Sequence, residues 1–125
     1  MVRMFVSALA MSVCFASPAA AALSTKDVQR CNAMTATLTP KKAEIQTLTA
    51  QRDAQAEQVE VLGDAWEESE TMRNFQSDSG VSADLLKADY DAAKAKLMRM
   101  DRALQVAAKQ FNTDISDYNR SCAKK

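Results

Sequence analysis

The sequence predicts an all-α protein: a long antiparallel, coiled-coil-like helical hairpin with a short leading helix, tied at its open end by a disulfide. Three observations predict it. Apolar residues recur at helical spacing through both halves of the chain. One cluster of turn residues, Ser77-Asp78-Ser79-Gly80, lies near the middle. Two cysteines, Cys31 and Cys122, stand almost equally far from that turn, so folding there brings them to the same end.

Composition excludes other classes. A chain of 125 residues fits one domain at most. With only 2 Gly and 2 Pro it lacks the regular turn signals of a sandwich or barrel. Its 16 basic residues balance 16 acidic ones, which gives no support to nucleic-acid binding. There is no His, and therefore neither the commonest general base nor the commonest metal ligand.

Residues 1–22 read as a secretory signal. Arg3 supplies the positive start, Met4 to Ala16 is uncharged and mostly apolar, and Pro18 breaks the run before Ala19-Ala20-Ala21-Ala22. Cleavage fits after Ala22 or after Ala21. The apolar run is too short to span a bilayer, which takes about 20 residues. Cys14 inside it raises a lipoprotein reading, but Val13 precedes it where a small residue is needed. The expected product is residues 23–125, exported to the periplasm or secreted, with no stable membrane insertion after cleavage. It retains Cys31 and Cys122, and an even cysteine count in an exported chain suggests one disulfide. Two free thiols or an intermolecular bridge are the alternatives. Two thiolates without His fall short of the usual four metal ligands.

Three helices follow in order. Cys31, Met34 and Leu38 stand at helical spacing, which predicts a leading helix over about 25–38. Thr39-Pro40 reads as a helix start, with Thr39 as cap and Pro40 at the first helical position. From there Ile45, Leu48, Val59, Leu62 and Trp66 share a stripe, with Arg52 and Gln55 as polar interruptions. This predicts a helix over about 41–76; Gly63-Asp64 offers a break, but the apolar phase runs through it. The turn takes 77–81. Ser82 then caps a helix over about 82–121, whose stripe runs from Leu86 and Tyr90 to Tyr118 and Cys122. Helices with so narrow a core are marginal without a staple, so the disulfide is expected to matter.

No catalytic constellation is visible. A Ser or Cys nucleophile has no His to serve it, no glycine-rich loop would cradle a phosphate, and no cofactor is implied. Two surfaces remain as candidate partner contacts. Asp53, Glu57, Glu60, Asp64 and Glu67 form a line of carboxylates in steps of four and three, away from the apolar stripe. Such a ridge suits a basic partner; a straight helix face does not converge the six to eight oxygens Ca²⁺ takes. Met72 and Phe75 lie at the predicted hairpin tip, where an apolar end would meet a partner. A weaker stripe of Leu85, Ala88, Ala92, Ala95, Ala103 and Val106, broken by Arg99, with Ala54, Val61, Ala65 and Met72 in a similar relation on the first helix, is either helix-forming filler or a second face that takes the segment 25–38 or self-associates into a homo-oligomer.

These features point to an exported, non-catalytic protein that acts by protein–protein contact in the cell envelope, as an adaptor, spacer or assembly factor, its partner unspecified. An oligomeric holdase chaperone, or an inhibitor of an envelope protein, is the alternative; an envelope enzyme using carboxylates is a third.

Overall fold

The structure is a computed structural model that describes residues 23–76 and 79–123. The expected signal segment, and part of the expected turn, lie outside the described residues. Two helices make up the fold: α1, Thr25–Arg73, and α2, Ser79–Cys122. They pack against each other, and no strand occurs among the described residues.

A capping arrangement starts α1. The Asp27 backbone N–H donates to the Ser24 hydroxyl oxygen at 3.1 Å, and that hydroxyl donates to the Asp27 carboxylate at 2.7 Å. From there α1 continues for 49 residues, about 73 Å at 1.5 Å per residue. This corrects the expected division into helices 25–38 and 41–76, because Pro40 sits inside α1 rather than at a start. Proline in a helix interior costs about 3 kcal/mol, chiefly through the lost N–H bond to the carbonyl four residues back. That carbonyl belongs to Ala36, and both Ala36 and Pro40 lie on the exposed side, where water can serve it. Thr39 does not cap either; its hydroxyl donates back to the Thr35 carbonyl at 3.2 Å. Packing on both sides of Pro40 holds the helix straight through: the disulfide at Cys31 and the Lys41–Asp114 pair.

At the far end, α1 stops at Arg73 rather than 76. The N–H groups of Phe75 and Gln76 both donate to the Met72 carbonyl, at 2.9 and 3.1 Å. The second helix begins at Ser79, three residues before the expected cap Ser82. Gly80 has no positive φ and simply joins the helix. Its carbonyl accepts from Arg73 Nη2 at 3.4 Å, and the same nitrogen donates to Asp84 at 2.6 Å. Arg73 thus binds the start of α2 to the end of α1.

One seam joins the helices. On α1 the covered positions are Cys31, Met34, Leu38, Lys41, Ile45 and Leu48, continuing through Arg52, Gln55, Val59, Leu62, Trp66 and Ser69. The steps alternate strictly between three and four, an average of 3.5. On α2 they run from Ala83, Leu86 and Tyr90 to Phe111, Asp114 and Tyr118 with the same alternation. Cross-helix partners descend as α1 ascends: Cys31 with Cys122, Lys41 with Asp114, Arg52 with Asp101, Gln55 with Ala93, Arg73 with Asp84. The seam is thin. Only Cys31, Gln55, Ala83 and Ala93 are buried among the described residues, and no large side chain is fully enclosed.

The disulfide joins Cys31 to Cys122, with a Cα–Cα distance of 5.7 Å and a sequence separation of 91. Closing a loop of that length is worth about 4–5 kcal/mol in the chain-entropy model. We expect Cys122→Ser to lower the thermal unfolding midpoint by at least about 5 °C in a circular-dichroism melt. An unchanged midpoint would mean that the packing at this end suffices without the bond.

Candidate functional site

Four groups of side chains give the rod chemical character: polar residues in the seam, an aromatic cluster, the end near Phe75, and the carboxylate ridge.

The seam carries cations where a plain apolar stripe would not. Lys41 Nζ donates to Asp114 Oδ2 at 2.5 Å, and Arg52 Nε to Asp101 Oδ1 at 2.7 Å. Gln55, only 5% exposed, donates from Nε2 to the Ala93 carbonyl at 3.3 Å. Arg52 and Gln55 are therefore cross-helix partners, not interruptions. Hydrogen bonds from Lys41 and then from Gln110 hold the Asp114 carboxyl below its ordinary value of 3.8, against a smaller opposing effect of burial. The Asp27 carboxyl is lowered too, first by the Ser24 hydroxyl.

The aromatic cluster surrounds Gly63. The Trp66 and Tyr90 rings stack with centroids 5.6 Å apart, and Lys87 and Lys94 stand over them at 5.6 and 5.0 Å. Trp66 Nε1 donates to Glu70 at 3.3 Å. A Cβ added at Gly63 would meet Tyr90 Cε2 at 3.1 Å, so the glycine is what lets the ring lie on the α1 backbone. Gly63 thus serves close approach rather than a helix break.

The contact residues named from sequence are all exposed. Phe75 is 79% exposed and Met72 41%, at the end of α1 opposite the disulfide; Val81 and Leu85 are exposed on the adjoining start of α2. Asp53, Glu57, Glu60, Asp64 and Glu67 share an exposed face of α1. Asp53 is engaged by Arg52 Nη1 at 2.9 Å. If the seam positions are called a and d, the ridge occupies b and f, while Met72 falls at g. The structure therefore keeps the ridge and the apolar end on different sides of α1. What sequence reasoning missed is the role of Arg52, Gln55 and Gly63. The available signal was their phase: the two polar residues fall on the three-and-four spacing of the stripe itself, and Gly63 directly follows the stripe residue Leu62.

Among the described residues, no group of three or more His, Cys, Asp or Glu is placed to hold a metal ion. No helix described is long and apolar enough to cross a membrane. No family model, no curated protein and no solved structure matches this chain.

Two outcomes follow. Gly63→Leu should destabilise by about 2 kcal/mol in urea unfolding through the clash with Tyr90. In a Tyr90→Ala background the penalty should vanish, and replacing glycine inside a helix should then gain up to about 1 kcal/mol. The second concerns pH. A carboxyl lowered by folding contributes stability that is present above its unfolded pKa and lost as pH falls through the folded one. The thermal midpoint should thus hold from neutrality down to about pH 5 and fall below about pH 4, and Asp114→Asn should flatten that acid limb.

Proposed function

We propose that this chain acts by contact, without catalysis, as an exported antiparallel and coiled-coil-like hairpin serving as an adaptor, spacer or assembly factor of the cell envelope. The descending order of cross-helix partners supports the antiparallel reading, and the 3.5-residue seam supports the coiled-coil one. Export is supported by the apolar run after Arg3 and by a disulfide, a bond that persists in oxidising compartments. The observation that carries the contact reading is Phe75, a large apolar ring 79% exposed at the end of the rod away from the disulfide. The ridge from Asp53 to Glu67 offers a second surface to a basic partner.

Photo-crosslinkable residues placed at Phe75 and at Glu60 in producing cells test this. We expect a discrete protein adduct from one of these positions, competed away by excess purified chain, and none from a control at exposed Ser116. Silence at both positions, or adducts equally strong from Ser116, would refute the contact reading. Suppression of the aggregation of an unfolded client by the purified chain would favour a holdase instead.

A further inference from the structure

We propose that two copies of this chain pair side by side and in opposite directions, along the flank of the rod that carries Val61, Met72, Leu85 and Val106. The inference goes beyond a general contact role, since it names the partner, the surface and the orientation.

The flank is defined by the grooves between the helices. One groove of about 450 Å³ is lined by Gln58 on α1 and by Asp89, Ala92 and Lys96 on α2. Two smaller ones continue it toward the disulfide, past Glu44 with Gln110 and then Thr37 with Asp117. These residues sit at g and c positions of both helices. Because the repeat is 3.5, a step of seven returns to the same bearing. Met72 lies two heptads beyond Gln58; Leu85 lies one heptad before Ala92, and Val106 two heptads after it. Val61 is one helical turn on from Gln58. Val61, Leu85 and Val106 are 67%, 64% and 70% exposed. Both flanks carry charges, Glu44, Asp89, Lys96, Arg99 and Asp117 on this one, and Lys42, Asp53, Glu60, Lys87, Asp91 and Lys94 on the other. Val61, Met72, Leu85 and Val106 gather on this flank, against Val28 and Met98 on the other, and association along it would cover the larger set.

Charge selects the occupant and its direction. The rod divides near the Gln55–Ala93 contact. The half toward Phe75, residues 57–76 and 79–97, carries nine acidic and four basic residues. The half toward the disulfide, residues 23–56 and 98–123, carries six acidic and nine basic. Two copies laid parallel would set acid on acid and base on base. Laid antiparallel about a two-fold axis, each acidic half faces a basic half, and one patch serves both copies, as an isologous interface requires. Length is sufficient: helices of about 70 Å need a contact strip only about 11 Å wide to bury the roughly 800 Å² per partner of a standard interface. The thin seam points the same way, since a second copy would supply the layer the lone pair lacks. Pairing on this flank leaves the ridge, at b and f, uncovered.

The test uses the purified disulfide-bonded chain in sedimentation equilibrium. At low salt we expect twice the chain mass at about 10–100 µM, with dissociation strengthened about tenfold by molar salt, as ionic steering implies. Val61→Asp and Leu85→Asp should each weaken pairing by about tenfold or more, while Met98→Asp on the other flank leaves it intact. Helicity by circular dichroism guards against simple unfolding of a variant. For orientation, isotope-labelled and unlabelled chains are mixed and joined with a zero-length carbodiimide. Between-chain bonds should link carboxylates of one half, such as Glu68, to lysines of the other, such as Lys41, which lines the same flank. A monomer at these concentrations overturns the proposal. So does a dimer broken by Met98→Asp but not by Val61→Asp, or one whose between-chain bonds join Glu68 to Lys96 in like halves.

Discussion

Two helices share one interface and have no third layer behind it, so every other feature of this fold depends on that seam. The seam is narrow, and its residues are mostly half-covered rather than enclosed. Hydrophobic burial of that extent gives limited stability to a chain of this size. The ends show how the deficit is met. At one end Cys31 is bonded to Cys122, with Met34 and its thioether 3.9 Å from the Cys122 sulfur. At the other, Arg73 reaches Glu70, Asp84 and the Gly80 carbonyl. A covalent bond closes the loop entropically, whereas exposed ion pairs contribute little each. The rod is therefore held unequally, firmly where the sulfurs meet and loosely near Phe75.

Register is the second constraint. A repeat of seven lets one helix slide along the other by a heptad and still set apolar residues against apolar residues. Three features oppose such a slide. Arg52 would leave Asp101, and Lys41 would leave Asp114, each abandoning a charge-assisted bond. Gln55 would lose the Ala93 carbonyl while staying covered, and an unsatisfied buried amide costs about 1–3 kcal/mol. Tyr90 would move from Gly63 onto Ala56 or Glu70, where a Cβ occupies the space its ring now fills. Polar seam residues thus trade some burial for a single alignment, and the glycine makes that alignment geometrically distinct.

Much of the architecture was legible because its signals are long-range and redundant. The α2 stripe, the turn cluster and the cysteine pair each point to the same doubled chain, and the helices and the Cys31–Cys122 bond follow them. The misread places are those where a local signal competes with packing. Thr39-Pro40 has the chemistry of a helix start, but tertiary contacts on both sides carry α1 through it. Ser82 has the chemistry of a cap, but Gly80 accepts helical geometry and the first turn forms earlier. Arg52 and Gln55 look like breaks in a stripe when one helix is read alone. Their partners stand 49 and 38 residues away, on the other helix, and no window of local pattern contains both. The exposed ridge and Phe75 were legible as positions; what touches them is not a property of one chain's periodicity.

The distribution of surfaces around the rod has a mechanical consequence for the proposed contact role. Ridge carboxylates occupy b and f, the apolar flank occupies g and c, and Phe75 lies beyond the last turn of α1. A partner engaging one surface need not displace a partner on another. Local opening of a protein is cheapest where covered contacts are few and pairs are solvated. Here that is the Arg73 end, since the opposite end cannot separate while its disulfide is closed. Ordering Phe75 and Met72 against a partner would therefore cost little of the existing structure, while the tied end keeps the two helices in register beneath them. The contact proposed at the tip would thus rest on two helices whose alignment is fixed covalently at the other end.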